Sequence, residues 1–220
     1  MLRSLLTAAL ALPLAVSVAA AQGPATDRGV FVVERGDSVV IRESFARTPE
    51  RLEGELAAPG SASRVAFSAR LASDATLRSL ELRRISADPT APAVVSAGTF
   101  EGDTLVIHVQ MGARDTTVRM ATVPGSIAYF NPSVTLMEQI VRRARVLGGD
   151  SVEVPVWITG AGGQQTALVR FADSTDVTLT IGGVEVRLTT DPSGRVLAGA
   201  VPSQGLIIKR NAPGGPATAR

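Results

Sequence analysis

His108 is the only histidine in the chain, and there is no cysteine. A general base needs a partner to orient it and a nucleophile within reach. His108 lies in the alternating run 105–111, on the same face as Thr104 and Gln110, which reads as the polar side of a strand. No serine occupies a Gly-x-Ser-x-Gly elbow; Gly125-Ser126 and Ser203-Gln204-Gly205 do not match it. A Ser-His-Asp hydrolase is set aside, and no catalytic residue is assigned. Without cysteine, and with one histidine, a zinc or copper site would have to rest on carboxylates. Asp173 and Asp176 beside Ser174 lack the acidic ladder and closing glutamate of an EF-hand, so they read as a turn. No metal and no cofactor is expected. Paired carboxylates that meet only in space leave a hydrolase as a third reading. Sugar sites favour aromatic platforms, however, and Trp157 and Tyr129 are the only Trp and Tyr.

Trp157 is the more informative residue. In the run 152–159 the valines and Ile158 share one face, which puts Trp157 on the other with Glu153 and Pro155. Phe31 and Val33 likewise oppose Val30 and Val32. Apolar side chains on a second face mean that this face is covered too, by a helix or by a ligand. The candidate ligand-binding residues are therefore Trp157, Phe31, Val33, Met137 and Ile140. In the competing reading, Trp157 packs against Val134, Met137, Ile140 and Val141 and lines no site.

The elements that must carry these residues are mostly strands. Period-two alternation recurs at Val65, Phe67, Ala69 and Leu71, at Leu105, Ile107, Val109 and Met111, and at Val152, Val154, Val156 and Ile158. It returns at Val177, Leu179 and Ile181, then at Val184, Val186 and Leu188. Such runs have one apolar and one wetter side, which predicts an antiparallel architecture. Arg35-Gly36-Asp37-Ser38 predicts an opening hairpin, and this Arg-Gly-Asp is turn chemistry. Gly182-Gly183 predicts the tightest hairpin. Gly102-Asp103, Ala113-Arg114-Asp115 and Asp191-Pro192-Ser193-Gly194 predict further turns. One segment differs. Val134, Met137, Ile140, Val141 and Ala144 fall at helical spacing, predicting one amphipathic helix over about 133–147. Asn131 or Ser133 would cap it, or Thr135 with Glu138 as a capping box. Arg142, Arg143 and Arg145 suit its last turn, where Gly148-Gly149 ends it. The same arginines allow at most peripheral membrane contact.

Residues 1–21 have the layout of a secretory signal. Arg3 is followed by an apolar stretch from Leu5 to Val18 and by Ala19-Ala20-Ala21. The expected protein is exported, periplasmic or extracellular, and not lipid-anchored, because no cysteine follows the apolar stretch. Domain organisation is expected as a signal at 1–21, a single antiparallel β domain at 28–210 and a disordered tail at 211–220. The 22 Lys+Arg nearly balance the 20 Asp+Glu, and aromatics are 4% of the chain. Nucleic acid is excluded as a partner, because no basic stripe carries interleaved aromatics. An outer-membrane barrel is disfavoured, because eight aromatic residues cannot form two girdles.

The order of elements also carries a resemblance. Many antiparallel strands precede one helix introduced by Tyr129-Phe130-Asn131-Pro132. The run Val186-Arg187-Leu188-Thr189-Thr190-Asp191-Pro192-Ser193-Gly194-Arg195-Val196-Leu197 then reads strand, Asp-x-x-Gly turn, strand. This layout resembles bacterial envelope domains similar to the lipoprotein-carrier half-barrels. The resemblance implies a mainly β fold, an antiparallel curved sheet or open half-barrel with the helix on its concave face. It also implies an apolar or lipid-like ligand. The expected function is that of a non-catalytic exported β-domain binding such a ligand. The alternative is a structural or interaction module of the envelope, whose partner is another envelope protein.

Overall fold

A computed structural model describes residues 26–88, 90–160 and 163–212. The signal segment expected at 1–21 lies outside the described residues, as do residues 213–220 of the expected tail. Among the described residues, fifteen strands, one α-helix and a one-turn 3-10 helix (Pro202–Gln204, before the last strand) follow in chain order. The first eight strands are β1 (Asp27–Arg35), β2 (Ser38–Arg47), β3 (Arg51–Ala57), β4 (Ser63–Leu71), β5 (Leu77–Ser86), β6 (Val94–Glu101), β7 (Thr104–Met111) and β8 (Arg114–Ala121). The short β9 (Ile127–Tyr129) leads into α1 (Val134–Leu147). After it come β10 (Ser151–Ile158), β11 (Gly163–Phe171), β12 (Asp176–Ile181), β13 (Val184–Thr190), β14 (Val196–Val201) and β15 (Leu206–Asn211). The last strand thus takes in Asn211, one residue of the segment expected to be disordered.

All fifteen strands form one sheet in the order β8-β7-β6-β5-β4-β3-β2-β1-β15-β14-β13-β12-β11-β10-β9. Two meanders run outward from a central seam, β1 against β15, where the ends of the described chain meet. Every pairing is antiparallel except β9 with β10, whose connection is the helix. The two edges, β8 and β9, do not pair, so the sheet is open and curved and does not close into a barrel. Mainly β, open and built around one helix, it has the expected fold class.

The turns follow the expected chemistry, with one shift. The hairpin after β7 turns on Gly112-Ala113, closed by Met111 opposite Arg114, one residue earlier than Ala113-Arg114-Asp115. Gly112 has φ +59°, the conformation a two-residue hairpin needs at its first position. Arg114 and Asp115 are then free to extend as strand.

The core lies inside the curve. On β2 the inward row is Ile41, Glu43, Phe45 and Arg47, as their pairing with Val33, Phe31, Gly29 and Asp27 shows. Across β3 it continues as Leu52, Gly54 and Leu56, and on β4 as Val65, Phe67 and Ala69. The ring of Phe67 lies over Gly54, where a Cβ would meet it at 2.4 Å. Phe31 stacks on Phe45 at 5.1 Å between centroids, and Phe67 meets Phe130 edge-on at 5.7 Å. Such pairs favour offset or edge-to-face contact because the rings carry a quadrupole.

The helix is capped by Ser133, whose Oγ accepts from the Leu136 N–H at 3.2 Å, and it ends at Gly148. The Thr135–Glu138 capping box does not form, because Glu138 points into a cluster of arginines instead. Nor is α1 a one-sided amphipathic helix. Val134 to Val141 are all buried, Thr135, Glu138 and Gln139 among them, because the sheet curls around the first two turns. Only Arg145 of the three arginines falls in the last turn.

Candidate functional site

Two kinds of environment lie within the curve: a buried polar cluster and apolar space. The cluster begins at Glu43. Ser133 Oγ donates to its carboxylate at 2.5 Å, and the N–H groups of Val134 and Thr135 donate to it at 2.6 and 3.2 Å. The first N–H groups of a helix have no partner within it, and the dipole there attracts negative charge. Glu43 supplies that partner from a strand 90 residues away. Burial pushes its carboxyl up to about 7, against the pull of the Ser133 hydroxyl and the two backbone donors.

One turn further on, Glu138 is fully buried. It pairs with Arg47 at 3.3 Å, Arg142 at 3.3 Å and Arg210 at 3.0 Å, and it accepts the Val196 N–H at 2.8 Å. Burial draws Arg47 down to about 10, with Glu138 opposing, so it stays cationic. Arg210 also bonds Asp27 at 2.6 Å and covers the Phe45 ring at 4.8 Å. The remaining helix arginines are likewise engaged within the chain. Arg143 reaches Asp74 at 3.1 Å, and Arg145 reaches the Ser174 carbonyl at 2.7 Å and Thr190 at 2.8 Å. The cluster fastens α1 to β1, β2, β14 and β15. Arg47, Arg142, Arg210, Glu138 and Asp27 each have an opposite charge within 3.3 Å, which gives the cluster the character of a clamp.

Apolar space lies on both sides of the β9–β10 edge, which is tucked between the helix and the far wing of the sheet. On the helix side a cavity of about 220 Å³ is lined by Val33, Met137, Ile158, Val186 and Ile208, with Tyr129 and Asn131 among its polar groups. The Tyr129 hydroxyl donates to Asn131 Oδ1 at 3.3 Å, and burial raises its pKa, with Glu43 nearby adding to the shift. On the other side a groove of about 490 Å³ runs between β4–β7 and the edge. Leu80, Leu82, Ile107 and Val109 form its floor, Phe130 and Trp157 form its wall, and Arg84 lies at its rim.

The five candidate residues are therefore not one site. Val33 and Met137 meet in the helix cavity. Trp157 lines the groove, with its back to the helix. Phe31 and Ile140 are fully buried in packed core. Packing of Trp157 against Val134, Met137, Ile140 and Val141 does not occur; Val154 and Val156 on the other face join that cluster instead. The second face of β10 is covered by the curling wing of the sheet and not by the helix, with the groove between them. The groove residues on β7 were visible as apolar alternation, those on β5 were not singled out, and nothing in the spacing of either tied them to Trp157.

His108 sits on the outer face of the sheet between Thr117 and Asp115, with Nδ1 3.0 Å from Thr117 Oγ1 and Nε2 3.2 Å from Asp115 Oδ1. The side chains are about half exposed on a flat surface, away from both hollows. Asp173 is used by its own turn, accepting the N–H groups of Thr175 and Asp176 at 2.6 and 2.8 Å.

Sheet, helix and hollows together define a class of protein: an open antiparallel β-sheet curled around one helix, with apolar space beside its tucked edge. The chain is similar to a DUF1089 family protein from Pseudomonas aeruginosa, with a TM-score of 0.55 and 18% identity over 78% of this chain and 93% of that one. It is also similar to a β-barrel-like protein of the domain of unknown function DUF1849 from Brucella abortus, with a TM-score of 0.47, 10% identity and coverage of 86% and 95%. The first of these is a likeness of fold alone. No family model and no curated protein matches the chain.

Proposed function

We propose that this protein is exported and binds an apolar or lipid-like ligand, without catalysing a reaction on it. The groove beside Trp157 carries the reading. Ligand pockets commonly enclose about 300–1,000 Å³ and are mostly apolar with a few polar groups. The groove encloses about 490 Å³, its floor is Leu80, Leu82, Ile107 and Val109, and one cation, Arg84, stands at its rim. The helix cavity, at about 220 Å³, is small for an acyl chain. The candidate set is accordingly centred on Trp157, with Val33 and Met137 belonging to a lesser hollow. Export rests on the signal layout of residues 1–21.

The chain has one tryptophan, so its fluorescence reports on this groove alone. Titration with palmitate or a lysophospholipid is expected to shift and saturate the emission. Ile107→Glu, which places a charge on the groove floor, is expected to raise the half-saturating concentration about tenfold or more. Emission that is unchanged by either amphiphile would overturn the reading.

The structural module of a cell envelope is the second reading. The charged clamp favours it, because a helix fixed by this many buried ion pairs serves rigidity better than ligand entry.

A further inference from the structure

Strand β8 is a sheet edge: it pairs with β7 on one side, and on the other no strand pairs with it among the described residues. Natural sheets protect such edges with proline, bulges, short length or inward charge. Here Arg114–Ala121 has no proline, pairs with β7 without a register shift, and runs eight residues; the charges it carries are Arg114 on the concave side and Asp115 and Arg119 on the outer side. Its concave side, Arg114, Thr116, Val118 and Met120, is open and mixed in character, with Val118 42% exposed.

The free edge has a definite pattern. The β7–β8 hairpin closes at Met111 and Arg114 around a two-residue turn, so the narrow hydrogen-bonded pairs are 111/114, 109/116, 107/118 and 105/120. The backbone N–H and C=O groups of Asp115, Thr117 and Arg119 therefore point away from β7, toward the open edge.

We propose that two copies of this chain associate through β8, pairing antiparallel about a two-fold axis at Thr117. Residues opposite one another must lie on the same face, so the axis passes through a residue. Two axes overlap nearly the whole strand: one at Thr117, pairing residues 114–120, and one at Val118, pairing residues 115–121. Side-chain charge chooses between them. At Thr117, Asp115 of each copy faces Arg119 of the other, giving two ion pairs on the outer face. Thr117 meets Thr117, Val118 meets Thr116, and Met120 lies along the stem of Arg114. Opposite charges and threonine pairs directly across a ladder are favourable combinations. At Val118, Asp115 would face Ala121 and Arg119 would face Thr117, with no ion pair. Within one copy Asp115 contacts His108 at 3.2 Å and Arg119 contacts Glu101 at 2.8 Å. All four side chains are about half exposed or more, so each charge retains a side open to the second copy. The seam is a single strand pair, which makes the dimer reversible and dependent on concentration.

Sedimentation velocity across a concentration series tests this. The chain is expected to shift from monomer to dimer. Asp115→Arg and Arg119→Asp each set like charges against one another and are expected to weaken association about tenfold. The double variant exchanges the two charges and is expected to regain the wild-type association. Thr117→Pro, which removes an outward N–H, is expected to abolish it. Circular dichroism melts check that each variant is folded; the charge exchange stays decisive if the proline variant is not. A wild-type chain that sediments as a monomer throughout, single variants that associate as wild type does, or a double variant that fails to recover would each overturn the proposal. A strand from another protein or from elsewhere in this chain, occupying the edge instead, would give the first or last of these results.

Discussion

Glu43 shows how one buried carboxyl can make a helix depend on a distant strand. Its oxygens take the donors of Ser133, Val134 and Thr135, yet burial still lifts it from its ordinary 4.5 to about 7. A carboxyl that holds its proton more tightly when folded stabilises the fold fully below about pH 4.5. That contribution falls between 4.5 and 7, as the unfolded chain ionises first, and is lost above about 7. Asp74 acts elsewhere: the Thr76 hydroxyl holds it below the ordinary carboxylate value, so its stabilisation is lost only in more acidic solution. Glu43→Gln carries no titrating proton. The melting temperature of this variant relative to wild type is expected to rise between pH 5 and pH 8. A difference that is the same at both values would show that Glu43 is ionised throughout. The sequence could not announce this residue. Glu43 sits in an ordinary strand beside Arg42 and Ser44, and its partners come from residues 133–135.

At the scale of elements, close approach explains what propensity does not. Gly54 lies inside β3, where glycine lowers strand stability and leaves no side chain to pack. It is there because β4 brings Phe67 over it, and because the Ser44 carbonyl lies 2.6 Å from where a Cβ would stand. Gly54→Ala is expected to destabilise the chain by about 1–3 kcal/mol, as overpacked cores do, read from urea unfolding midpoints at constant slope. A midpoint equal to wild type would mean that the ring moves aside freely. The helix teaches a related lesson. Its start, its end and its core row of Val134, Met137, Ile140, Val141 and Ala144 were legible, since capping and period depend on neighbours in sequence. Glu138 was not, because a carboxylate at that spacing serves equally well in a capping box or, as here, among three arginines from β2, α1 and β15.

For the whole molecule, the position of the chain ends matters most. β1 and β15 form the middle of the sheet, and each meander closes only once they meet. Phe31 and Ile208, both buried, sit on this seam, and Arg210 ties it to the helix. Local opening draws on segments with few buried contacts and solvent-exposed hydrogen bonds. Amide exchange is therefore expected to be slowest in β1, β2 and β15 and fastest in β8, where only Met120 is even half-buried. Measured in dilute solution, where the edge is unpaired, protection of β8 equal to that of β1 would contradict this ranking.

Alternation, turn residues and one helical stretch were enough to specify an antiparallel, mainly β chain with a helix near 133–147. These signals are local: strand period, glycine at hairpin turns and the Ser133 cap act over a few residues. The curl that tucks β9 and β10 between helix and wing was settled only in three dimensions. It turned Trp157 toward Leu82 and Ile107, separated it from Val33 and Met137, and brought Glu43 beneath the helix. Which faces meet depends on pairings between strands far apart in the chain, and a period-two pattern marks a face as apolar without naming what will cover it.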